Sequence, residues 1–128
     1  MNAETAEKLI RSYVEGWCKG DADEILGAVA PDCVVVEAHG PTYRGRDRIA
    51  QWVGTWFAAG GEVLLWEIRS LELAGEAACF EWSFACSWQG ERYELEGASV
   101  VRFNEGRISY IREYATTAPL YDWDGTWR

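Results

Sequence analysis

The chain has 128 residues, of which 48% are hydrophobic and 14% aromatic, so residues 1–128 can form one domain around a single substantial core. The net charge of −9 argues against nucleic acid and anionic membrane surfaces as partners, because both are bound mainly through clustered Lys and Arg. No apolar run approaches a membrane span, and the first residues lack the basic and apolar regions of a secretory signal. We therefore expect a cytoplasmic protein.

Four cysteines support this placement. They show no CxxC or CxxH spacing, which argues against a structural zinc site and a thioredoxin-like redox pair, and we expect no metal and no other cofactor. If Cys79 and Cys86 share one strand, their odd separation points them to opposite faces, and the strand holds them too far apart to form a disulfide. We expect reduced, mostly buried thiols. The cysteines are Cys18, Cys33, Cys79 and Cys86.

The first part of the chain has the pattern of helices. A long first helix ends at Gly20, a short second helix begins after Asp21, and Pro31 marks its end. A β-branched run from Cys33 to Ala38 predicts a strand, and a loop follows to Gly45. A third helix then runs to Gly60-Gly61. Helical spacing in the first and third helices is carried by Ala6, Leu9, Ile10, Tyr13, Val14 and Trp17, and by Ile49, Trp52, Val53, Trp56 and Phe57.

From Glu62 onward the period changes to two, which predicts four strands in an antiparallel meander. The turns are expected at Ala74-Gly75, Gln89-Gly90 and Asn104-Glu105-Gly106. One face of the second of these strands is predicted to form a pocket wall, and it consists of Phe80, Trp82, Phe84, Cys86 and Trp88.

The last two strands add two expectations. In the third strand of the meander, Ser99 shares a face with apolar residues, where a hydroxyl needs a hydrogen-bond partner. The last strand, Arg107 to Ala115, is expected to place Ile108, Tyr110, Arg112 and Tyr114 on one side. The tail from Pro119 to Asp124 is aromatic enough to dock on the domain.

This order of elements resembles the nuclear transport factor 2-like superfamily, in particular its SnoaL-like and steroid Δ-isomerase branch. The motifs that carry the resemblance are Tyr13-Val14, Gly20-Asp21, Ala30-Pro31-Asp32, Arg44-Gly45-Arg46, Gln89-Gly90 and Arg102-Phe103-Asn104. The resemblance implies an α+β fold in which three N-terminal helices pack on a highly curved antiparallel or mixed sheet. Such a domain is a cone-shaped α+β barrel with an interior pocket.

The resemblance also implies catalytic roles. Tyr13 stands where the family has its oxyanion-binding tyrosine, Glu37 where it has the carboxylate base, and Ser99 where it has a second, protonated acid. A serine is a weaker donor than a carboxylic acid, and loss of one oxyanion donor typically costs on the order of a hundredfold in rate. His39, the only histidine, lies near the expected pocket rim as an auxiliary acid or base.

Burial among rings should raise the pKa of Glu37 toward the range useful for proton transfer. The pocket should bind an uncharged or weakly anionic aromatic or alicyclic ligand. Each ring has an equally plain role in the core. The expected substrate-binding residues are Trp17, Trp52, Trp56, Trp82, Phe84, Cys86, Val101 and Phe103.

Three function classes remain open at this point. The first is a cofactor-independent isomerase, cyclase or dehydratase-type lyase that uses a carboxylate base on an apolar carbonyl substrate. The second is a non-catalytic binding protein for a small apolar ligand. The third is a dimeric interaction module, since related domains dimerise through the outer sheet face. Dehydratase and epoxide hydrolase sites of the superfamily need His-Asp or Asp-Arg-Asp sets that the sequence does not clearly supply.

Overall fold

The computed structural model describes residues 1–128, which form three helices and six strands. The helices are α1 (Ala3–Lys19), α2 (Ala22–Gly27) and α3 (Arg46–Ala58). The strands are β1 (Val29–Val36), β2 (Thr42–Arg44), β3 (Glu62–Ala74), β4 (Ala77–Trp88), β5 (Glu91–Asn104) and β6 (Arg107–Ala115).

All six strands belong to one mixed sheet in the order β2-β1-β6-β5-β4-β3. β1 is parallel to β6, and every other neighbouring pair is antiparallel. The sheet curls without closing, because β2 and β3 remain edge strands, and α1 lies against both β3 and β6. The predicted α+β architecture of three N-terminal helices on a highly curved sheet is confirmed.

The long first helix forms as predicted. Its apolar stripe is buried from Ala6 to Trp17, and Gly20 ends it in the left-handed conformation (φ 68°) that a residue without a Cβ adopts most easily. The Asp21 side chain accepts a hydrogen bond from the Glu24 amide (3.1 Å) and so begins α2. The helical prediction therefore holds through the first 27 residues.

The first strand differs from its prediction, because it begins at Val29 and contains Pro31 instead of starting after it. Proline has no amide to donate, and the pairing of β1 with β6 is irregular between Val29 and Val34, which accommodates it. The predicted loop before Gly45 contains the short edge strand β2, which pairs with β1. β1 ends at Val36, two residues before the predicted end at Ala38, so Glu37 lies just after the strand.

The four-strand meander forms with the predicted turns, but the predicted faces of β6 are wrong. Its pairing with β5 is irregular between Arg102 and Phe103, so the bulge at Ser109 reverses the alternation. Ile108 is buried, whereas Arg112 and Tyr114 are exposed on the outer face. Glu113 consequently lies on the inner face.

Two further expectations are corrected. The C-terminal tail does not dock on the domain, since Trp123 is 57% and Trp127 80% exposed and the two rings contact each other. Only half of the thiols are buried, because Cys18 and Cys79 are exposed. All four thiols are free. None of the three helices combines the length and the hydrophobicity of a membrane span.

Candidate functional site

The concave side of the sheet encloses a cavity of about 820 Å³ between α1, α3 and the strands. Fifteen of its 21 lining residues are hydrophobic, and the polar ones concentrate where β1 ends and α3 begins. The rings in the wall are Tyr13, Trp17, Tyr43, Trp52, Trp56, Trp66, Trp82, Phe84, Trp88 and Tyr93. The cavity is thus an aromatic chamber with a few polar side chains at one end.

Most of the predicted wall residues line this cavity, namely Trp17, Trp52, Trp56, Trp82, Phe84 and Cys86. Val101 and Phe103 do not line it. They share the inner face of β5 as predicted, but they lie further along the strand and are 1% and 5% exposed in the packed core. In β5 the alternation of side chains gives the inner face correctly, but it does not tell how far along the strand the cavity extends.

Glu37 lies in the cavity wall just after β1. Its amide donates to the Pro41 carbonyl (2.9 Å), and its own carbonyl accepts from the Gly40 amide (3.0 Å), so a tight turn fixes the backbone on both sides. The Tyr43 hydroxyl donates to Glu37 Oε1 at 2.6 Å, a charge-assisted hydrogen bond that stabilises the carboxylate. The Glu37 side chain is only 21% exposed.

Tyr43 holds Glu37 from the edge strand β2. Its ring stacks on Trp52 of α3 with centroids 4.2 Å apart and planes 9° from parallel, which fixes the phenol in place. Burial raises the pKa of Tyr43, and the hydrogen bond to the Glu37 carboxylate raises it further. The phenol therefore stays protonated and remains a donor to Glu37.

Glu113 supplies a second carboxyl group to the same cavity wall. Burial, which disfavours the charged form, raises the pKa of Glu113 to about 8, and the negative charge of Glu37 adds to the effect. Near neutral pH Glu113 therefore keeps its proton. A protonated carboxyl group that shares a cavity with a second carboxyl group can serve as the acid of an acid–base pair.

The structure places Ser99 in the core instead of on the cavity wall. Its hydroxyl accepts a hydrogen bond from the Trp82 indole nitrogen (2.9 Å), which provides the partner that a buried hydroxyl requires. Ser99 pairs directly with Glu113 across the β5–β6 ladder. The carboxyl group of Glu113 therefore lies on the strand next to Ser99, the position at which the resemblance placed a second, protonated acid.

Tyr13 lines the cavity from α1, and its residue surface is only 2% exposed. Burial raises its pKa well above the ordinary phenol value, and the charge of Glu113 raises it further. The Trp17 indole lies close enough to lower the pKa slightly, although its nitrogen makes no hydrogen bond of ordinary geometry. Tyr13 is therefore a protonated hydroxyl in the wall of the chamber.

His39 and Arg48 stand at the mouth of the cavity. His39 Nδ1 lies 4.0 Å from Glu37 Oε2, too far for a hydrogen bond, and its side chain is 71% exposed. Arg48 donates to Gln51 Oε1 (3.1 Å) on the exposed face of α3. The side chains of His39 and Arg48 therefore belong to the rim of the chamber.

Gly97 on β5 allows the chamber wall to form. A Cβ at this position would overlap the Tyr114 carbonyl oxygen and would lie 2.9 Å from the Trp82 ring. The missing side chain lets Trp82 cross β5 closely enough to reach Ser99, and this contact fixes the indole in the wall.

Sequence reasoning did not single out Glu113 or Tyr43 as site residues. Glu113 was hidden by the bulge, and a three-residue edge strand such as β2 resembles a loop in sequence. One feature of the sequence could have indicated Glu113: it is two residues from the apolar Ile111, so both share a face, and Arg112 and Tyr114 lie on the other. No group of three or more His, Cys, Asp or Glu side chains is placed to hold a metal ion.

A model of the SnoaL-like domain matches residues 10–111. The chain belongs to the SnoaL-like domain family. No curated protein matches the sequence significantly. The matched region begins within α1, at Ile10, and ends at Ile111, so Glu113 lies two residues beyond it.

Solved structures of low sequence identity share this SnoaL-like fold. An LEH-like epoxide hydrolase of M. tuberculosis superposes with a TM-score of 0.80 at 19% identity, over 88% of this chain and 84% of the other. A putative polyketide cyclase from Xanthomonas campestris pv. campestris gives 0.73 at 20% identity, over 89% and 92%. A ketosteroid isomerase-like protein from Catenulispora acidiphila, in complex with trimethylamine, gives 0.73 at 19%, over 85% of each chain. These similarities establish the nuclear transport factor 2-like fold.

Proposed function

We propose that this SnoaL-like domain is a cofactor-independent acid–base catalyst that moves a proton on a small apolar carbonyl compound, as an isomerase or lyase does. The observation that carries the proposal is that Glu37 and Glu113 line the same aromatic cavity, where burial raises the pKa of Glu113 to about 8. A neutral carboxylic acid kept beside a carboxylate supplies a donor and a base together.

In the proposed reaction Glu37 takes a proton from the carbon next to the substrate carbonyl. The electron pair of the broken C–H bond moves toward the carbonyl, so negative charge grows on its oxygen. The Tyr13 hydroxyl and the protonated Glu113 line the same cavity and supply donors for that oxygen. Glu37 then returns the proton to a different carbon, or a leaving group departs, which distinguishes an isomerase from a lyase.

The surroundings of Glu37 support its role as the base. The turn between Glu37 and Pro41 fixes its backbone, and the hydrogen bond from Tyr43 orients its carboxylate while leaving the second oxygen without a hydrogen bond in the chain. A carboxylate that is already positioned by a turn and a hydrogen bond needs little reorganisation when it accepts a proton. His39 contributes at the rim as an auxiliary group.

The test is turnover of a panel of β,γ-unsaturated ketones, followed by the ultraviolet absorbance of the conjugated product. Glu37→Gln preserves shape and removes the base, so its rate should fall about a hundredfold or more while ligand affinity stays near that of the wild type. Tyr13→Phe removes one of two oxyanion donors and should reduce the rate by roughly tenfold to a hundredfold. Glu67→Gln, on an exposed part of β3, is the matched control.

Retained turnover in Glu37→Gln would contradict this assignment. Saturable ligand binding without turnover by the wild type would favour the second candidate, a non-catalytic binding protein for a small apolar ligand. That candidate rests on the apolar character of the wall, in which 15 of the 21 residues are hydrophobic.

A further inference from the structure

The cavity wall carries two acidic side chains, and the basic residues of the wall lie at its rim. Two carboxyl groups, Glu37 and Glu113, lie in its wall, and no lysine does. The two basic residues of the wall, Arg48 and His39, are both exposed at the rim, and neither makes a hydrogen bond to either carboxyl group. The net charge of −9 adds to the negative potential of the chamber.

Ten aromatic rings from several elements make up much of the remaining wall. Trp66 meets Trp82 at 85° and Phe84 at 89°, and Trp17 meets Trp56 at 78°. Rings set at such steep angles form a box instead of a stack, and a molecule inside would contact ring edges and the parts of the ring faces that these contacts leave uncovered. The face of an aromatic ring attracts a cation, most strongly when water is excluded.

We propose that the natural ligand of this cavity is an organic cation, an alkylated ammonium compound whose apolar body occupies the aromatic box while its positive charge faces Glu37 and Glu113. The inference rests on the proposed function to the extent that the substrate would then carry a carbonyl group and an ammonium group together. Two carboxyl groups that are hydrogen-bonded to no cation of the chain and a surrounding set of aromatic rings are the two halves of such a site.

The polar inventory of the wall favours an alkylated ammonium over a primary one. A primary ammonium group brings three N–H donors, each of which needs an acceptor once water has been removed. Beyond the two carboxyl groups the wall offers few acceptors, and Tyr43 already occupies one oxygen of Glu37. An alkylated ammonium needs fewer hydrogen bonds and presents methyl or methylene surface to the rings.

This ligand class departs from the uncharged or weakly anionic ligand expected from the sequence. That expectation considered only Glu37, whereas the bulge in β6 brings Glu113 to the same wall. An anion would lie beside Glu37 with no hydrogen-bonded cation behind it, and like charges repel.

The proton on Glu113 gives the proposal a second signature. A bound cation favours the ionised form of Glu113, so its affinity should rise several-fold as the pH passes the pKa of about 8. An effect of that size leaves Glu113 mostly protonated near neutral pH, as the proposed catalysis requires. The titratable and charged groups of the cavity wall are Tyr13 of α1, Glu37 and His39 after β1, Tyr43 of β2, Arg48 of α3, Cys86 of β4, Tyr93 of β5 and Glu113 of β6.

The experiment compares two probes of the same shape, benzyltrimethylammonium and neopentylbenzene, in which a quaternary carbon replaces the charged nitrogen. Quenching of tryptophan fluorescence measures binding of each to the whole chain near pH 7 and near pH 9. We expect the cation to bind at least about tenfold more tightly than the hydrocarbon near pH 7 and several-fold more tightly again near pH 9. Glu67→Gln, on the exposed part of β3, should keep both differences, and Glu113→Gln should lose the dependence on pH.

Equal or tighter binding of neopentylbenzene by the wild type would overturn the proposal, as would the absence of saturable binding of the cation. The comparison between the two probes needs no variant, so misfolding of a variant does not affect it. It also needs no turnover. A failure of the ketone assay with success here would reject the proposed catalysis alone, and the reverse result would reject the cationic ligand alone.

Discussion

Glu113 determines how the site should respond to pH. If the protonated carboxyl group serves as a donor to the substrate oxygen, activity requires that proton and should fall as the pH rises through about 8. We expect turnover per enzyme to decline on the alkaline side with an apparent pKa near this value. Glu113→Gln keeps a donor that does not ionise, so its alkaline decline should disappear. A profile that is unchanged in Glu113→Gln would contradict the role of this residue.

The same residue should affect stability. In the folded chain Glu113 keeps its proton to about pH 8, whereas the ordinary pKa is 4.5, so between these values the folded state binds more protons than the unfolded state. The free energy of unfolding should therefore fall across this interval and level off above it. Near pH 9 Glu113→Gln should be more stable than the wild type by about 1–3 kcal/mol.

Urea denaturation of both proteins near pH 5 and near pH 9 measures this effect. Glu67→Gln, which changes an exposed glutamate, should stay within about 0.5 kcal/mol of the wild type at both values. An advantage of Glu113→Gln that is equal at both pH values would show that ionisation of Glu113 is not its cause.

At the scale of elements, the close packing of the Trp82 ring on Gly97 of β5 should be needed for both stability and ligand binding. Gly97→Ala places a methyl group against the Tyr114 carbonyl oxygen and the Trp82 ring, so β5 and β6 must separate. We expect a loss of about 1–3 kcal/mol in the free energy of unfolding, together with weaker ligand binding because the wall is displaced. Gly54→Ala, at an open position of α3, is the control and should be neutral or stabilising. Unchanged binding in Gly97→Ala would show that the wall does not depend on this contact.

Most of the elements could be predicted because each carries a local signal. The stripe of α1, the glycine after it and the period of two from Glu62 onward are properties of neighbouring residues, and the structure follows them. The bulge at Ser109 has no such signal, since it arises from the pairing of β6 with β5. A shift of one residue exchanges the two faces of a strand, and for this reason Glu113 was not foreseen.

The candidate site was predictable to a similar extent. Tyr13, Glu37 and the tryptophans lie on the cavity wall where the sequence suggested, whereas Ser99 was correctly assigned to the inner face but is bonded to Trp82 in the core. Which of two inward side chains reaches the cavity depends on the curvature of the sheet and on how deeply the ligand chamber extends. Neither quantity is written in local sequence patterns.

At the scale of the whole molecule, the outer face of the sheet is divided by charge. Ladder register places Arg44, Arg102 and Arg112 on the β2-β1-β6-β5 side of this face, and none of them forms an ion pair within the chain. The β5-β4-β3 side is mainly acidic: it carries Arg69 and Arg92, the latter paired with Glu94, against the five glutamates Glu67, Glu72, Glu81, Glu94 and Glu96. A twofold axis between the two halves would bring the basic half of one copy against the acidic half of another.

We therefore expect a homodimer through this face, with a mass by light scattering of about twice 14.5 kDa at micromolar concentration. Because the contact pairs opposite charges, added salt should weaken it. Arg102→Glu should favour the monomer, whereas Lys8→Glu on α1 should leave the mass unchanged. A mass near 14.5 kDa for the wild type at low salt would contradict the expectation.

The central claim is that one proton resides on the carboxyl pair inside the aromatic chamber, and carbon-13 resonances of the glutamate side-chain carboxyl groups measure it most directly. One resonance of the wild type should titrate near pH 8, and it should be missing from Glu113→Gln. A wild-type spectrum in which every glutamate carboxyl group has finished titrating below about pH 6 would contradict the claim.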